Sequence, residues 1–483
     1  MSPRGERRAP VVATVAVAAA LLAAQLLVPP ILGLADNGDF GRVMAKVGLG
    51  YIGTTREDNY VNWALTKFAL VQKARPADPT SVYLTSETPV AALAVLASRV
   101  FGDGAVFDIR FLGVLHALLL LAALGVLVAA CRDLSAPTQW LVAALLVFIF
   151  SDVGYAAPLN SLYAQTASFL FFLLTAAAAA AGISRGGLDG AHLFAYFGLA
   201  AMFVASKPQE AVHGPLLAAF GLSLALSGAR RSRRWLAAAL ALCLFAFSVW
   251  CFRSTPDWLR RVALYNTLFR ELLPSSPDPA ADLRHLGLDP GLVRHANTSP
   301  YPPGSLLYDP ERSADLFRKY DYRALLGFYL SHPERLASLV HRGTRSAFHL
   351  RPLVLANYAK DSGRPPRTMT THFDWWSRLR LVLTPVPPFW LALLLGGNLI
   401  ACALGYRRAS RRGRLARQGI AVLVLMAAME FLVAVLADIL GDVARHLYVF
   451  HAMCDLLIVA DAAWIAQILR RRLPAGAAAA AAA

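Results

Sequence analysis

Long apolar runs alternate with polar stretches along the chain, at approximately 10–34, 110–130, 138–151, 162–182, 191–206, 209–228, 235–253, 388–406, 419–440 and 447–469. A helix of about 20 residues crosses a hydrocarbon core of ~30 Å, so these runs predict about ten transmembrane helices. The runs at 138–151 and 191–206 are short, which leaves one of them open to being re-entrant. Two further apolar pieces, 60–71 and 88–101, are too short and interrupted to span, and predict helices lying in the interface. The polar stretch 254–387 mixes Pro, Asp, Arg and Tyr with amphipathic pieces at 258–272 and 322–340, which predicts a mostly helical region outside the bilayer.

The expected fold class is therefore an all-α polytopic membrane protein. Its organisation reads as an N-terminal membrane domain over 1–253 with a first outer loop at 35–109, an outer region at 254–387, and C-terminal membrane helices over 388–472. The Ala-rich stretch 473–483 reads as a disordered, low-complexity tail. Composition agrees: 57% of residues are hydrophobic and mean hydropathy is +0.50. Arg4, Arg7 and Arg8 precede the first run as in a signal peptide. That run, however, continues through Pro29-Pro30 to Leu34 with no small-residue cleavage site, and so reads as an uncleaved helix.

The net charge is +17, and its distribution decides its meaning. Arg132, Arg185, the Arg230-Arg231-Ser232-Arg233-Arg234 cluster, the Arg-rich stretch 407–417 and Arg470 to Arg472 fall in alternate connectors, on the same side as the N-terminal arginines. By the positive-inside rule that side is cytoplasmic, as are both termini. The excess charge then serves orientation and attraction to anionic lipid, and no nucleic-acid partner is implied. The five cysteines, Cys131, Cys243, Cys251, Cys402 and Cys454, lie in or beside spans, with no Cys/His spacing of a zinc site.

Four polar motifs fall on the opposite side. Asp36-Asn37-Gly38-Asp39-Phe40 places two carboxylates just beyond the first span, where one can deprotonate an acceptor hydroxyl or the segment can simply form a turn. Asp39 is the preferred base, lying further from the span and closer to water. Ser151-Asp152-Val153-Gly154-Tyr155 and Asn160-Ser161-Leu162-Tyr163-Ala164-Gln165 put polar groups at membrane depth, which is costly unless they pair or face a cavity; capping explains Asp152 and Ser161 equally well. Lys207, with Gln209 and Glu210, can offset charge on a phosphate leaving group or pair as a snorkelling lysine. Arg445 and His446 follow Asp438 and Asp442, and Arg445 can hold phosphate through its planar fork or form a local ion pair.

These residues, together with FDIRFLG at 107–113, the segment from Tyr265-Asn266 through Pro277-Asp278-Pro279 to Leu286-Gly287-Leu288-Asp289, FYLSHPERL at 328–336 and ARHL at 444–447, carry a resemblance. The chain resembles the GT-C class of polytopic membrane glycosyltransferases, and within it bacterial glycan-biosynthesis hexose transferases associated with S-layer and other surface glycans. The resemblance implies a catalytic carboxylate and two interfacial helices in the first outer loop, a polyprenyl-phosphate sugar donor, a glycan or lipid-linked acceptor, and inverting transfer. It also implies a multi-pass protein of the bacterial cytoplasmic membrane with its active site facing outside. Gln165 departs from the pattern, since an acidic residue is common there, and this moves weight to the first loop.

The expected site has Asp36 or Asp39 as base, and Lys207 and Arg445 on the carrier phosphate. Asp152, Asn160 and Tyr163 shape the pocket, with Tyr155, Gln165, Gln209 and His446 as further substrate contacts. Asp36 and Asp39 leave open a shared divalent cation, Mg²⁺ or Mn²⁺. Two rival classes remain: a flippase or transporter for a lipid-linked glycan, disfavoured because the spans look nearly free of charge at their centres, and a non-catalytic scaffold binding partners through 254–387.

Overall fold

The computed structural model describes residues 8–71, 83–102, 104–228, 234–383, 386–438 and 443–472. Asp442, the side chain of Asp438 and the tail 473–483 lie outside the described residues. Among the described residues, eight helices are long and apolar enough to cross a membrane: Ala9–Leu26, Arg110–Ala130, Ala164–Arg185, Pro208–Ser227, Arg234–Arg253, Pro387–Tyr406, Arg411–Leu436 and Tyr448–Arg471. A ninth crossing is a broken pair, Ala136–Phe150 with Val153–Asn160, bent by 63°, and Gly190–Val204 is a shorter apolar helix. Together they fall in the ten apolar runs, but the first helix ends at Leu26 rather than running on to Leu34, because Pro29 and Pro30 have no N–H to continue it. In lipid the backbone must satisfy its own hydrogen bonds, which is why these runs are helical.

Small residues let the helices close on one another. A Cβ on Gly221 would lie 2.3 Å from the Tyr196 ring, and one on Gly113 would lie 2.0 Å from Asn160 Oδ1. The bend in the ninth crossing has a local cause. Asp152 Oδ1 accepts from the Gly154 N–H at 2.7 Å and so caps the second half. Its Oδ2 accepts from the Trp376 and Ser377 N–H groups at 2.8 and 2.9 Å.

The Arg-rich connectors share one end of the bundle. Arg412 pairs with Asp133 at 3.0 Å and approaches Gly186, while Arg234, Arg411 and Arg414 surround one recess. The polar motifs meet at the other end.

In the first loop, Glu87–Phe101 is a helix. It buries Val90, Ala91, Ala94 and Val95 and exposes Leu93, Leu96, Val100 and Phe101, as an interfacial helix should. The other expected interfacial helix, at 60–71, is absent. That stretch is irregular up to β2 (Lys67–Leu70), the middle strand of an antiparallel sheet between β1 (Leu49–Gly50) and β3 (Val106–Asp108). Phe68 faces Phe107 across the sheet and both are fully buried, so a period of two wins over the helical pattern.

The outer region is tied to this loop. Ala356 N–H donates to Val61 O, while Gly33 and Ala35 N–H donate to Asn357 O and Ala356 O at 3.0 and 2.9 Å. These backbone bonds fix the chain immediately before Asp36. The hydrophobic cluster is continuous from span residues such as Leu22 and Phe169 to Tyr265, Leu283 and Phe328 of the outer region.

Candidate functional site

The chain turns sharply after the first span, and Asp36 organises that turn. Its Oδ1 accepts from the N–H groups of Gly38 at 2.7 Å and Phe40 at 3.1 Å, and its Oδ2 accepts from the Tyr51 hydroxyl at 2.5 Å. Gly38 has φ +107°, a conformation that suits glycine here. Phe40 then leads into the helix Gly41–Val47, and its ring packs edge-on to Tyr163 with centroids 4.7 Å apart. The Tyr163 hydroxyl donates to Ala35 O at 2.8 Å and accepts from the Asn37 N–H at 2.9 Å.

Asp39 lies between two guanidinium groups, paired with Arg42 at 2.9 Å and with Arg445. Arg445 also lies over the Tyr163 ring, 5.1 Å from its centroid. From Arg445 the polar chain continues through the next residue. His446 Nδ1 is 3.3 Å from Lys207 Nζ, Lys207 donates to Gln209 Oε1 at 3.1 Å, and Gln209 Nε2 donates to His446 O at 3.3 Å and to Glu430 Oε1 at 2.5 Å. Asp36, Asp39, Tyr163, Lys207, Gln209, Arg445 and His446 therefore share one site. Gln165 is buried beside it and lines the same crevice as Tyr163 and Arg445.

The two carboxylates differ sharply in basicity. Burial pushes Asp36 up to about 6, against the lowering effect of the Tyr51 hydroxyl and the two N–H groups. Burial acts on Asp39 in the same direction, but Arg42 and Arg445 outweigh it and hold that carboxyl well below the usual range. Asp39 is the more exposed of the two, in keeping with its distance from the span, yet it is a poor proton acceptor. Burial also pulls Lys207 down to about 8, partly countered by Glu210. His446 falls well below its ordinary value through burial and the adjacent Lys207 and Arg445. Arg42 and Arg445 both pair with Asp39, so two guanidinium groups meet at one carboxylate.

Three expected contacts serve elsewhere. Asp152 is spent on the bend: besides the backbone groups already named it accepts from the Ser377 hydroxyl. Asn160 Nδ2 donates to Leu26 O and Leu32 O at 3.0 and 2.9 Å, closing the turn that precedes Asp36. The Tyr155 hydroxyl donates to Asp455 Oδ2 at 2.6 Å, within a buried network that includes Trp376 and Arg380. Arg445 pairs with Asp39, 406 positions away; its neighbours in its own motif, Asp442 and the side chain of Asp438, lie outside the described residues.

Residues not anticipated are Arg42, Tyr51, Glu430 and Asp455. The last two correct the expectation of spans free of charge: Glu430 lies within Arg411–Leu436 and Asp455 within Tyr448–Arg471, both fully buried. Their signal was an acidic residue inside an apolar run. Arg42 and Tyr51 carried no such mark. The oxygens of Asp36 and Asp39 each accept from their own donors: Gly38, Phe40 and Tyr51 on Asp36, and Arg42 and Arg445 on Asp39. Among the described residues, the group of His, Cys, Asp or Glu side chains spaced for a metal ion is Glu210, His213 and Glu430.

Fold and site together define a multi-pass helical membrane protein with a polar, partly buried site at one end of its helix bundle. The chain belongs to the family described as the YfdI N-terminal transmembrane domain, whose model matches residues 5–477. Comparison with curated proteins and with solved structures gives no match.

Proposed function

We propose that the protein is an integral membrane glycosyltransferase of the GT-C type, which moves a hexose from a polyprenyl-phosphate carrier to a glycan or lipid-linked acceptor on the extracytoplasmic face of the bacterial cytoplasmic membrane. The observation that carries this reading is the juxtaposition of a carboxylate raised to about 6, Asp36, with two guanidinium groups, Arg42 and Arg445, that meet at Asp39, beside the mouth of a membrane helix. A lipid-linked phosphate presents its headgroup at that depth.

In the proposed reaction the acceptor hydroxyl replaces the Tyr51 hydroxyl on Asp36 Oδ2 and gives up its proton there. The acceptor oxygen forms a bond to the anomeric carbon as the bond from that carbon to the phosphate oxygen breaks, which inverts the configuration. The departing phosphate keeps the electron pair, and Arg445, Arg42 and Lys207 offset its charge. Asp39 holds the two guanidinium groups in place before the donor arrives. Tyr163 supports Arg445 from below, and Gln165, Gln209 and His446 border the same space.

Mass spectrometry of surface glycans and lipid-linked sugars from a deletion strain tests the reading. The expected result is loss of one hexose from the glycan with accumulation of the polyprenyl-phosphate hexose. An unchanged glycan and an unchanged lipid-linked pool would overturn it.

A further inference from the structure

Behind Lys207, two acidic side chains and an imidazole meet in the apolar interior. Glu210 and His213 belong to the 3₁₀ turn Pro208–His213, where three residues make one turn and positions i and i+3 project together. Glu430 comes from the long helix Arg411–Asp438. None of the three is more than 1% exposed. His213 Nε2 lies 2.9 Å from Glu430 Oε2 and 3.7 Å from Glu210 Oε2, and one ligand atom from each residue lies within 4.8 Å of the other two.

Glu210 Oε2 has no hydrogen-bond partner among the described residues, and neither does His213 Nδ1. The ammonium of Lys207 donates to Gln209 and reaches His446 rather than binding either carboxylate. Two carboxylates this close in a water-poor interior repel each other and lose hydration, so either a proton or a cation must lie between them.

We propose that Glu210, His213 and Glu430 bind one divalent transition-metal ion, with zinc the best match. Atoms spaced in this way leave a point roughly 2 Å from all three, a zinc–nitrogen or zinc–oxygen bond length. A mixed set of one imidazole and two carboxylates suits zinc, whereas magnesium and calcium favour all-oxygen sets. The surroundings hold the ligands in place. Gln209 Nε2 fixes the second oxygen of Glu430 at 2.5 Å, and the His213 ring stacks on Phe203 at 5.6 Å with an interplanar angle of 16°. An ion here joins the turn that carries Lys207 and Gln209 to a helix more than two hundred positions later in the chain. The site stands independently of the transferase reading.

The test uses the full chain purified in detergent without a polyhistidine tag, stripped with a chelator and then titrated with zinc chloride. Elemental analysis is expected to find about one zinc per chain, with a higher melting temperature than the stripped protein because the ion binds the folded state. His213→Gln and Glu430→Gln should each reduce bound zinc to near zero, while His192→Gln, on the exposed His192–Asp189 pair, should leave it unchanged. Should the ligand variants fail to fold, X-ray absorption of the zinc-loaded wild type decides, with a nitrogen and oxygen shell expected and a sulfur shell refuting the assignment. No zinc uptake and no change in melting temperature would show that the three side chains share a proton instead. Uptake that survives His213→Gln would equally overturn the proposal.

Discussion

Replacing Asp36 with Asn separates what this side chain does for the turn from what it is proposed to do for the acceptor. The amide oxygen of Asn can still accept from the Gly38 and Phe40 N–H groups, which now bind Oδ1, and its NH₂ can donate to the Tyr51 oxygen that now donates to Oδ2. The turn therefore keeps its hydrogen bonds. The rise of Asp36 from 3.8 to about 6 on folding corresponds to an upper limit of about 3 kcal/mol spent at pH 7 on holding a buried charge. Because the folded state binds this proton more tightly than the unfolded chain, the cost is present above pH 6 and fades as the pH falls from about 6 toward 3.8. Asp36→Asn removes it, so the melting temperature at pH 7 should hold or rise. Transfer, by contrast, should fall roughly 10²- to 10⁴-fold, the usual consequence of losing a general base. The assay is hexose transfer from a polyprenyl-phosphate donor in isolated membranes, run beside thermal unfolding of the purified variant. With Asp36 as base, the wild-type rate should drop about tenfold between pH 7 and pH 5, as the ionised fraction of a group near 6 does. A variant with wild-type transfer, or a wild-type profile that is flat over that interval, refutes the assignment.

Tyr51→Phe removes the hydroxyl that lowers Asp36, so the acid inflection of the rate profile should move above pH 6. Arg445→Lys keeps the charge but loses the planar fork and the stacking on Tyr163, and KM for the donor should rise about tenfold or more in a donor titration. Asp152→Ala leaves the Gly154, Trp376 and Ser377 N–H groups without their acceptor. At about 1–3 kcal/mol for each buried unpaired group, folded yield by size-exclusion chromatography should collapse, while transfer per folded molecule in any surviving fraction stays close to wild type. Gly113→Ala forces a methyl group against Asn160 and should lower the melting temperature by displacing the turn that Asn160 closes.

What could be read from the sequence was whatever depends on composition over a window. Run length and apolar content determined the spans from Ala9–Leu26 to Tyr448–Arg471, because a helix is the one local structure that satisfies its own backbone in lipid. The spacing of arginines along the connectors grouped them at one end, since each crossing reverses the chain's direction. Local chemistry also marked the turn at Asp36 and the polar segment at Lys207. Tertiary structure decided the pairings. Arg445 meets Asp39 across 406 positions and Gln209 meets Glu430 across 221, and nothing within either motif distinguishes these partners from nearer ones. It also divided the two aspartates, because which carboxylate is buried under Tyr51 and which is gripped by two guanidinium groups depends on neighbours from other helices. The same holds for the strand at Lys67–Leu70, whose Phe68 is fixed by Phe107 and Phe40 rather than by its own surroundings in sequence. A proton affinity or a strand pairing belongs to a set of contacts, and those contacts exist only once distant segments have packed.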